Sequence, residues 1–194
     1  NIVGPEQKAG FRDQLLAIPG VEQVGYSMGY PPVMGNNNSF TDKDGVNHSF
    51  TVYQGDSVWM SILNFEILSR TGLKDADGVW LNETGYRRLG LADDAIPYNH
   101  AEWVDFKILG KVKDFHIGDF SQEIGESVIR PLPEEGWPWN ILIKVSPADP
   151  FGTLERIREV YNEKAGGNIF AGRFLDDRIT AMYEKQTRMS QILG

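Results

Sequence analysis

Cysteine is absent from this 194-residue chain, which excludes disulfide frameworks, thiol nucleophiles and cysteine-ligated metal sites together. The redox compartment stays open, because a cysteine-free chain is at home on either side of a membrane. Positive charge is also scarce: 19 Lys and Arg stand against 27 Asp and Glu, for a formal charge of −8. A sequence-independent nucleic-acid binder needs a basic footprint to displace counterions, and docking on anionic lipid by charge alone needs the same. Both classes are disfavoured. No apolar run approaches the ~18–20 residues that span a bilayer; the longest, such as Ile141–Val145, have strand length. The opening Asn1-Ile2-Val3-Gly4-Pro5 lacks the basic and apolar regions of a signal peptide and carries no initiator Met, which points to a boundary inside a longer protein. Neither Gly-x-Ser-x-Gly, nor a Walker-type phosphate loop, nor Gly-x-Gly-x-x-Gly occurs, so serine-nucleophile and phosphate-cradle chemistry has no foothold.

What is present is an ordinary globular composition, 41% hydrophobic and 24% charged, long enough to bury roughly 70% of its unfolded surface. Phe11, Leu15 and Ile18 recur at helical spacing over Glu6–Ile18, and Pro19-Gly20 closes that helix. Val21–Met28 reads as a strand. Gly29–Asn38 reads as a loop, with Asn36-Asn37-Asn38 its most turn-prone stretch. Ser39–Thr41, the turn Asp42–Gly45 and His48–Tyr53 form a hairpin signal. Asp56 is placed to cap a short helix carrying Val58, Ile62 and Leu63. Val79–Asn82 reads as a strand, Glu83–Leu89 as a short helix and Ala92–Glu102 as a loop. Trp103–Lys107, Ile108–Phe115, Ser127–Pro131 and Asn140–Val145 read as strands, with the proline-rich Pro131–Pro138 connecting the last two. Asp149 and Pro150 form a helix start. Phe151, Leu154, Ile157 and Tyr161 make one apolar stripe, and Gly166-Gly167 stops the helix. Ile169–Leu175 then reads as a strand leading to a last helix, with Ile179, Met182, Tyr183, Gln186, Met189 and Leu193 on one side. The class is α+β.

Few residues point to chemistry. His48, His100 and His116 sit in separate elements, without the spacing of a zinc site. Asp114 and His116, two apart on a strand, would share one face and make half of a metal or acid–base site; the plainer reading is a polar strand end. Asp93-Asp94, Glu134-Glu135 and Asp176-Asp177 read as solvated or dipole-complementing acids before they read as ligands. Asp42-Lys43-Asp44-Gly45 lacks the later ligands of an EF-hand loop. The five tryptophans include Trp137-Pro138-Trp139, either an exposed aromatic platform or rings that cover the core and the loop.

Several segments, in order, resemble one family. Phe11-x-x-x-Leu15-x-x-Ile18-Pro19-Gly20-Val21-x-x-Val24, Val79-Trp80-Leu81-Asn82-Glu83-Thr84 with Arg87-Arg88-Leu89-Gly90, Ile108–His116, and Phe174-Leu175-Asp176-Asp177 with Tyr183-Glu184-Lys185-Gln186-x-Arg188 resemble the MacB-like periplasmic core domain of FtsX-type ABC-transporter permeases, in the variety abundant in Bacteroidota. Lys111 stands where valine is common, Ser69-Arg70 replaces the usual Gly-Arg, and the expected Gly-Lys is missing around Ile96–Tyr98.

The resemblance implies a split porter-like βαβ subdomain from both chain ends (1–55 and 121–194) with a second small α+β subdomain inserted (56–120). It implies a non-catalytic role with no cofactor: transmitting an ATP-driven conformational change across the inner membrane of a Gram-negative bacterium, from the periplasmic side. The partners implied are a cytoplasmic ATPase subunit, a second permease copy and a periplasmic adaptor or cargo, in export, lipoprotein or antimicrobial-peptide handling, or partner regulation. Two semi-rigid lobes would need hinges, and Gly55, Gly118 and Gly125 relax the backbone where the segments join. The alternatives are a free-standing ligand- or peptide-binding module using Trp137, Trp139 and the aromatic segment Tyr26–Pro32 with Tyr30, and a hydrolase or metal enzyme around Glu83, Asp114 and His116.

Overall fold

The computed structural model describes residues 4–29, 36–41, 45–74, 78–91, 107–116, 123–164, 169–177 and 180. Among these residues the strands are β1 (Val21–Ser27), β2 (Asn36–Thr41), β3 (Asn47–Gly55), β4 (Ile67–Arg70), β5 (Gly78–Asn82), β6 (Lys107–Val112), β7 (Ser127–Pro131) and β8 (Asn140–Val145). The helices are α1 (Lys8–Leu16), α2 (Ser57–Ile62), α3 (Glu83–Arg88) and α4 (Pro150–Lys164), with a 3-10 turn, Pro5–Gln7, leading into α1. The strands form one mixed sheet in the order β4-β6-β5-β7-β3-β1-β8, and β2 pairs with β3 beside that path. The α+β class stands.

α1 buries Phe11 and Leu15, and Ile18 follows just beyond its end, so the i, i+4, i+7 row faces β1. α4 covers the same side of the β1–β8 ribbon. Val24, Phe11, Leu15, Ile18 and Ile157 make one core there, edged by Ile141, Ile143, Val145 and Val160. β1 and β8 run antiparallel with Val24 opposite Ile143 and Gly25 opposite Leu142. The pleat turns Leu142 to the opposite face from its neighbours, and it packs in a second core with Trp59, Met60, Tyr53, Trp80, Leu109 and Ile129. A third core lies under α3 and holds Phe50, Val79, Leu81, Tyr86, Ile108 and Val128.

The expected subdomain boundaries lie at 55/56 and 120/121. β3 and β7, on the chain-end side of those boundaries, send Phe50, Tyr53, Val128 and Ile129 into the cores shared with residues 59–112. Alternating side chains on a strand between two layers must face what covers each side, and here Tyr86 of α3 lies on one side and Trp59 and Met60 of α2 on the other. We call α1, β1, β8 and α4, which close on one core, the end-built lobe, and β2 to β7 with α3 the inner lobe; α2 lies between them, against β1 and β8 by its backbone and in the inner core by Trp59 and Met60.

Differences from the sequence reading have local causes. Asn36, Asn37 and Asn38 are strand, opposite Val52, Thr51 and Phe50: a long partner strand, with the Thr51 hydroxyl donating to Asn37 at 3.2 Å, outweighs their turn propensity. β4 is a strand that the sequence reading did not contain, formed by pairing with β6. β6 ends at Val112, so Asp114 and Phe115 follow the strand rather than lie in it; Trp103–Phe106, like the segment Ala92–Glu102, lies outside the described residues. Residues 169–174 form no strand, although Phe170 packs on the end-built core. Leu175–Asp177 are helical; the apolar row from Ile179 onward lies outside the described residues. On α4 the buried positions are Thr153 and Ile157, while Phe151 is 73% exposed and meets Phe174 edge-on at 5.3 Å. A side chain at Gly20 would come within 2.4 Å of the Thr153 hydroxyl, so the closest approach of α4 takes a small residue rather than the expected phenylalanine.

Candidate functional site

Two of the segments that carried the resemblance, around Asn82 and Asp114, meet in one polar network. Asn82, at the end of β5, is fully buried. Its side-chain oxygen accepts from the backbone N–H groups of Gly85 and Ser127, both at 2.9 Å, and its amide donates to the Gly125 carbonyl at 2.9 Å. One carboxamide thus caps α3 and pins the start of β7. Glu83 accepts from the Asp114 backbone N–H at 3.0 Å. The Asp114 carboxylate accepts from the Thr84 N–H (2.8 Å), the Thr84 hydroxyl (2.7 Å) and the Arg87 guanidinium (3.3 Å). With three donors from α3, Asp114 serves that helix as a cap supplied from the chain beyond β6. His116 is exposed and His48 is buried on β3; His100 lies outside the described residues. Among the described residues no group of three or more His, Asp or Glu could hold a metal ion. Glu134-Glu135 and Asp176-Asp177 are exposed, while Asp42–Asp44 and Asp93-Asp94 lie outside the described residues.

A second constellation joins the two lobes. Asp56 follows β3 and caps α2, accepting from the Trp59 N–H at 2.8 Å. Its other oxygen accepts from the Tyr26 N–H at 3.1 Å and pairs with the Arg12 guanidinium. That guanidinium lies over the Tyr26 ring, 4.8 Å from its centroid, a favourable placement of a cation on a π face. The Tyr26 hydroxyl donates to the Lys8 carbonyl at 2.8 Å, and burial pushes the phenol pKa up to about 12. Partial burial, above all, pulls the Lys8 ammonium below its ordinary pKa; its Nζ donates to the Pro133 carbonyl at 2.8 Å. Trp59, fully buried, fills the seam: a Cβ on Gly25 would fall 2.5 Å from the Trp59 backbone nitrogen, and one on Gly55 2.4 Å from its ring. Gly55, which the sequence suggested as a hinge, is buried here in register with Ser27 on one side and Pro131 on the other. Gly125 is exposed just before β7, and Gly118 lies outside the described residues.

The third feature is the loop between β7 and β8. Trp137 and Trp139 are 53% and 62% exposed, so neither covers the core. Trp139 is anchored by its N–H to the Ser27 carbonyl at 2.9 Å, and the Trp137 ring lies beside Gly4. Tyr30, expected with them, lies outside the described residues. Asp56 is legible as a cap in the sequence, whereas Arg12, Tyr26 and Trp59 as its company are not. The only local signal was the pair of glycines, whose use depends on tertiary contact.

Among the described residues no helix is long and apolar enough to cross a membrane. No family model matches the sequence, and no curated protein does. Solved structures do share the fold. A domain of a permease protein from Porphyromonas gingivalis aligns with a TM-score of 0.51 at 15% identity, over 84% of this chain and 76% of that one. The extracellular domain of the ABC-type transporter YknZ from Gram-positive bacteria aligns at 0.52 and 14%, over 82% and 84%. The periplasmic region of MacB from Actinobacillus actinomycetemcomitans aligns at 0.50 and 12%, over 80% and 72%. At such identities the likeness is one of fold: this chain has the architecture of the MacB-like extracytoplasmic domains of ABC-transporter permeases.

Proposed function

We propose that this domain is the periplasmic part of an ABC-transporter permease in the inner membrane of a Gram-negative bacterium. It would pass on conformational change driven by ATP hydrolysis on a separate cytoplasmic subunit. The observation that carries the reading, beside the shared fold, is that both halves of the end-built lobe come from opposite ends of the chain. α1 and β1 from one end, β8 and α4 from the other, close on one core. Membrane helices on either side of the chain would then pull on a single lobe, and the inner lobe would be carried by it. The exposed Trp137 and Trp139 supply a contact for an adaptor or cargo, as aromatic residues do at interfaces, and a second permease copy would bring a second such loop.

The same tryptophans favour the alternative, a free-standing periplasmic binding module. Location separates the two. In cells carrying the full-length gene, a cysteine at the exposed Leu68 is read with a membrane-impermeant maleimide, and the membranes are then separated from the soluble fraction. Labelling from the periplasmic side, with the protein in the inner membrane and a cytoplasmic ATPase retained on purification, supports the permease. Periplasmic protein free of the membrane favours the binding module. Labelling only after the inner membrane is opened overturns both.

A further inference from the structure

The two lobes share little backbone. β1 and β3 have one registered pair, Ser27 opposite Gly55, flanked by the Met28 N–H to the Gln54 carbonyl and the Asp56 N–H to the Tyr26 carbonyl, both 3.0 Å. A single strand contact with glycine at its centre would, left bare, be a pivot. It is not bare. Trp59 occupies the volume that side chains at Gly25 and Gly55 would take, so turning about Gly55 would drive the ring into backbone or out of its seat. Asp56 gathers donors from three elements: Arg12 on α1, the Tyr26 N–H on β1 and the Trp59 N–H on α2. Hydrogen bonds to an ionised carboxylate are the stronger kind, and its side chain is only 18% exposed. Gln23 adds a side-chain bond to Ser61 at 3.3 Å between β1 and α2.

We propose that this seam is a lock, with Asp56 as its pin and Trp59 as its wedge, holding the end-built and inner lobes as one body. A stroke reaching the end-built lobe then swings the whole domain as a lever instead of opening it at Gly55. The lever role rests on the permease reading; the lock does not. Packed interfaces of this kind switch between discrete arrangements rather than deforming continuously, so loosening the pin releases the lobes together.

Distances between spin labels test it, and the absence of cysteine makes each introduced pair unique. Asp13→Cys with Leu68→Cys spans the two lobes, and Asp13→Cys with Glu159→Cys stays within the end-built lobe; all three positions are exposed. Both pairs give one narrow distance in the otherwise native chain. In Arg12→Gln and in Asp56→Asn the interlobe distribution broadens or splits, while the intralobe distance keeps its value and width. A broad or split interlobe distribution in the native chain overturns the lock. So does an interlobe peak that stays as narrow in both variants. If Asp56→Asn fails to fold, the intralobe peak is lost as well, and Arg12→Gln, at the rim of the seam, decides. A chain found in the cytoplasm would sink the permease reading and leave these distances as they are.

Discussion

Asp114 holds Thr84 by both of its donors, the backbone N–H at 2.8 Å and the hydroxyl at 2.7 Å. Two stretches that look like separate motifs in the sequence are therefore one structural joint, in which a carboxylate beyond β6 caps the helix that follows β5. Replacing a cap costs about 0.5–2 kcal/mol, most often near 1. Asp114→Ala is expected to lower unfolding free energy by that amount in urea titration, and Arg87→Ala, whose guanidinium is largely exposed, by less than ~0.5 kcal/mol. Equal losses in the two variants would show that the ion pair, not the cap, matters.

Asn82 is the more demanding position. Asn82→Ala strands the N–H groups of Gly85 and Ser127 and the Gly125 carbonyl in a buried place, where each orphaned group costs about 1–3 kcal/mol. The expected loss is about 3 kcal/mol or more after relaxation. Asn82→Asp keeps the acceptor and replaces the donor to Gly125 with charge, so it is expected to be nearly as damaging. A thermal or urea midpoint within error of the native one for either variant would show that the network carries no stability.

Among the described residues the buried Trp59 indole N–H meets no hydrogen-bond partner, so its ring is held for its volume. Trp59→Phe gives up an unmet donor together with part of the ring and is expected to cost under about 2 kcal/mol, whereas Trp59→Ala leaves a cavity worth about 3–5 kcal/mol. Equal losses in urea for the two variants would mean that the indole nitrogen has a partner after all.

Gly25 and Gly45 answer the same substitution for opposite reasons. Gly25→Ala drives a methyl to 2.5 Å from backbone at Trp59, where overpacking costs about 1–3 kcal/mol or more. Gly45 has open space around it and a φ of +79°, so Gly45→Ala costs only the backbone strain of about 1 kcal/mol. The ranking of the two melting temperatures checks it.

Alkaline pH should weaken the fold through Tyr26. Burial first, then Asp56 and Asp13, raise its pKa from 10.0 to about 12, against the pull of Arg12. The folded state therefore keeps the phenol proton more tightly than the unfolded state does. Stability from this group is whole below pH 10 and is lost as pH rises from 10 through about 12. Burial raises Tyr53 and Tyr86 in the same direction. Urea midpoints followed up that range should fall, with a shallower slope in Tyr26→Phe; an unchanged slope would assign the fall to the other two.

Where local chemistry decides, the sequence was legible. Asp56 and Asp149 were readable as caps, and both carboxylates accept from the third residue on. β7 and β8 run over the residues their apolar runs mark. The Asn36–Asn38 strand was hidden because its stability belongs to β3, not to asparagine. β4 was hidden because four residues have no periodicity to show. The parallel pairing of β3 with β7 and the wedge of Trp59 between two glycines arise only when distant segments meet, so no window of sequence contains them. Trp137 and Trp139 could be read either way in the sequence, because the exposure of a loop ring is set by the tertiary fold.

The antiparallel ribbon of β1 and β8 also sets an order of events during synthesis. β1 is made early and its partner late, with the whole inner lobe between them. Closing so long a loop is entropically costly unless something shortens it first. The inner lobe, whose two cores use residues between Phe50 and Ile129 almost alone, is that something: once folded, it brings the emerging β8 beside a waiting β1. Until then β1 has only its single registered pair with β3, and the apolar face of α1 and β1 lacks β8 and α4. The interval between the two strands is thus the period in which a chaperone has a hydrophobic surface to hold.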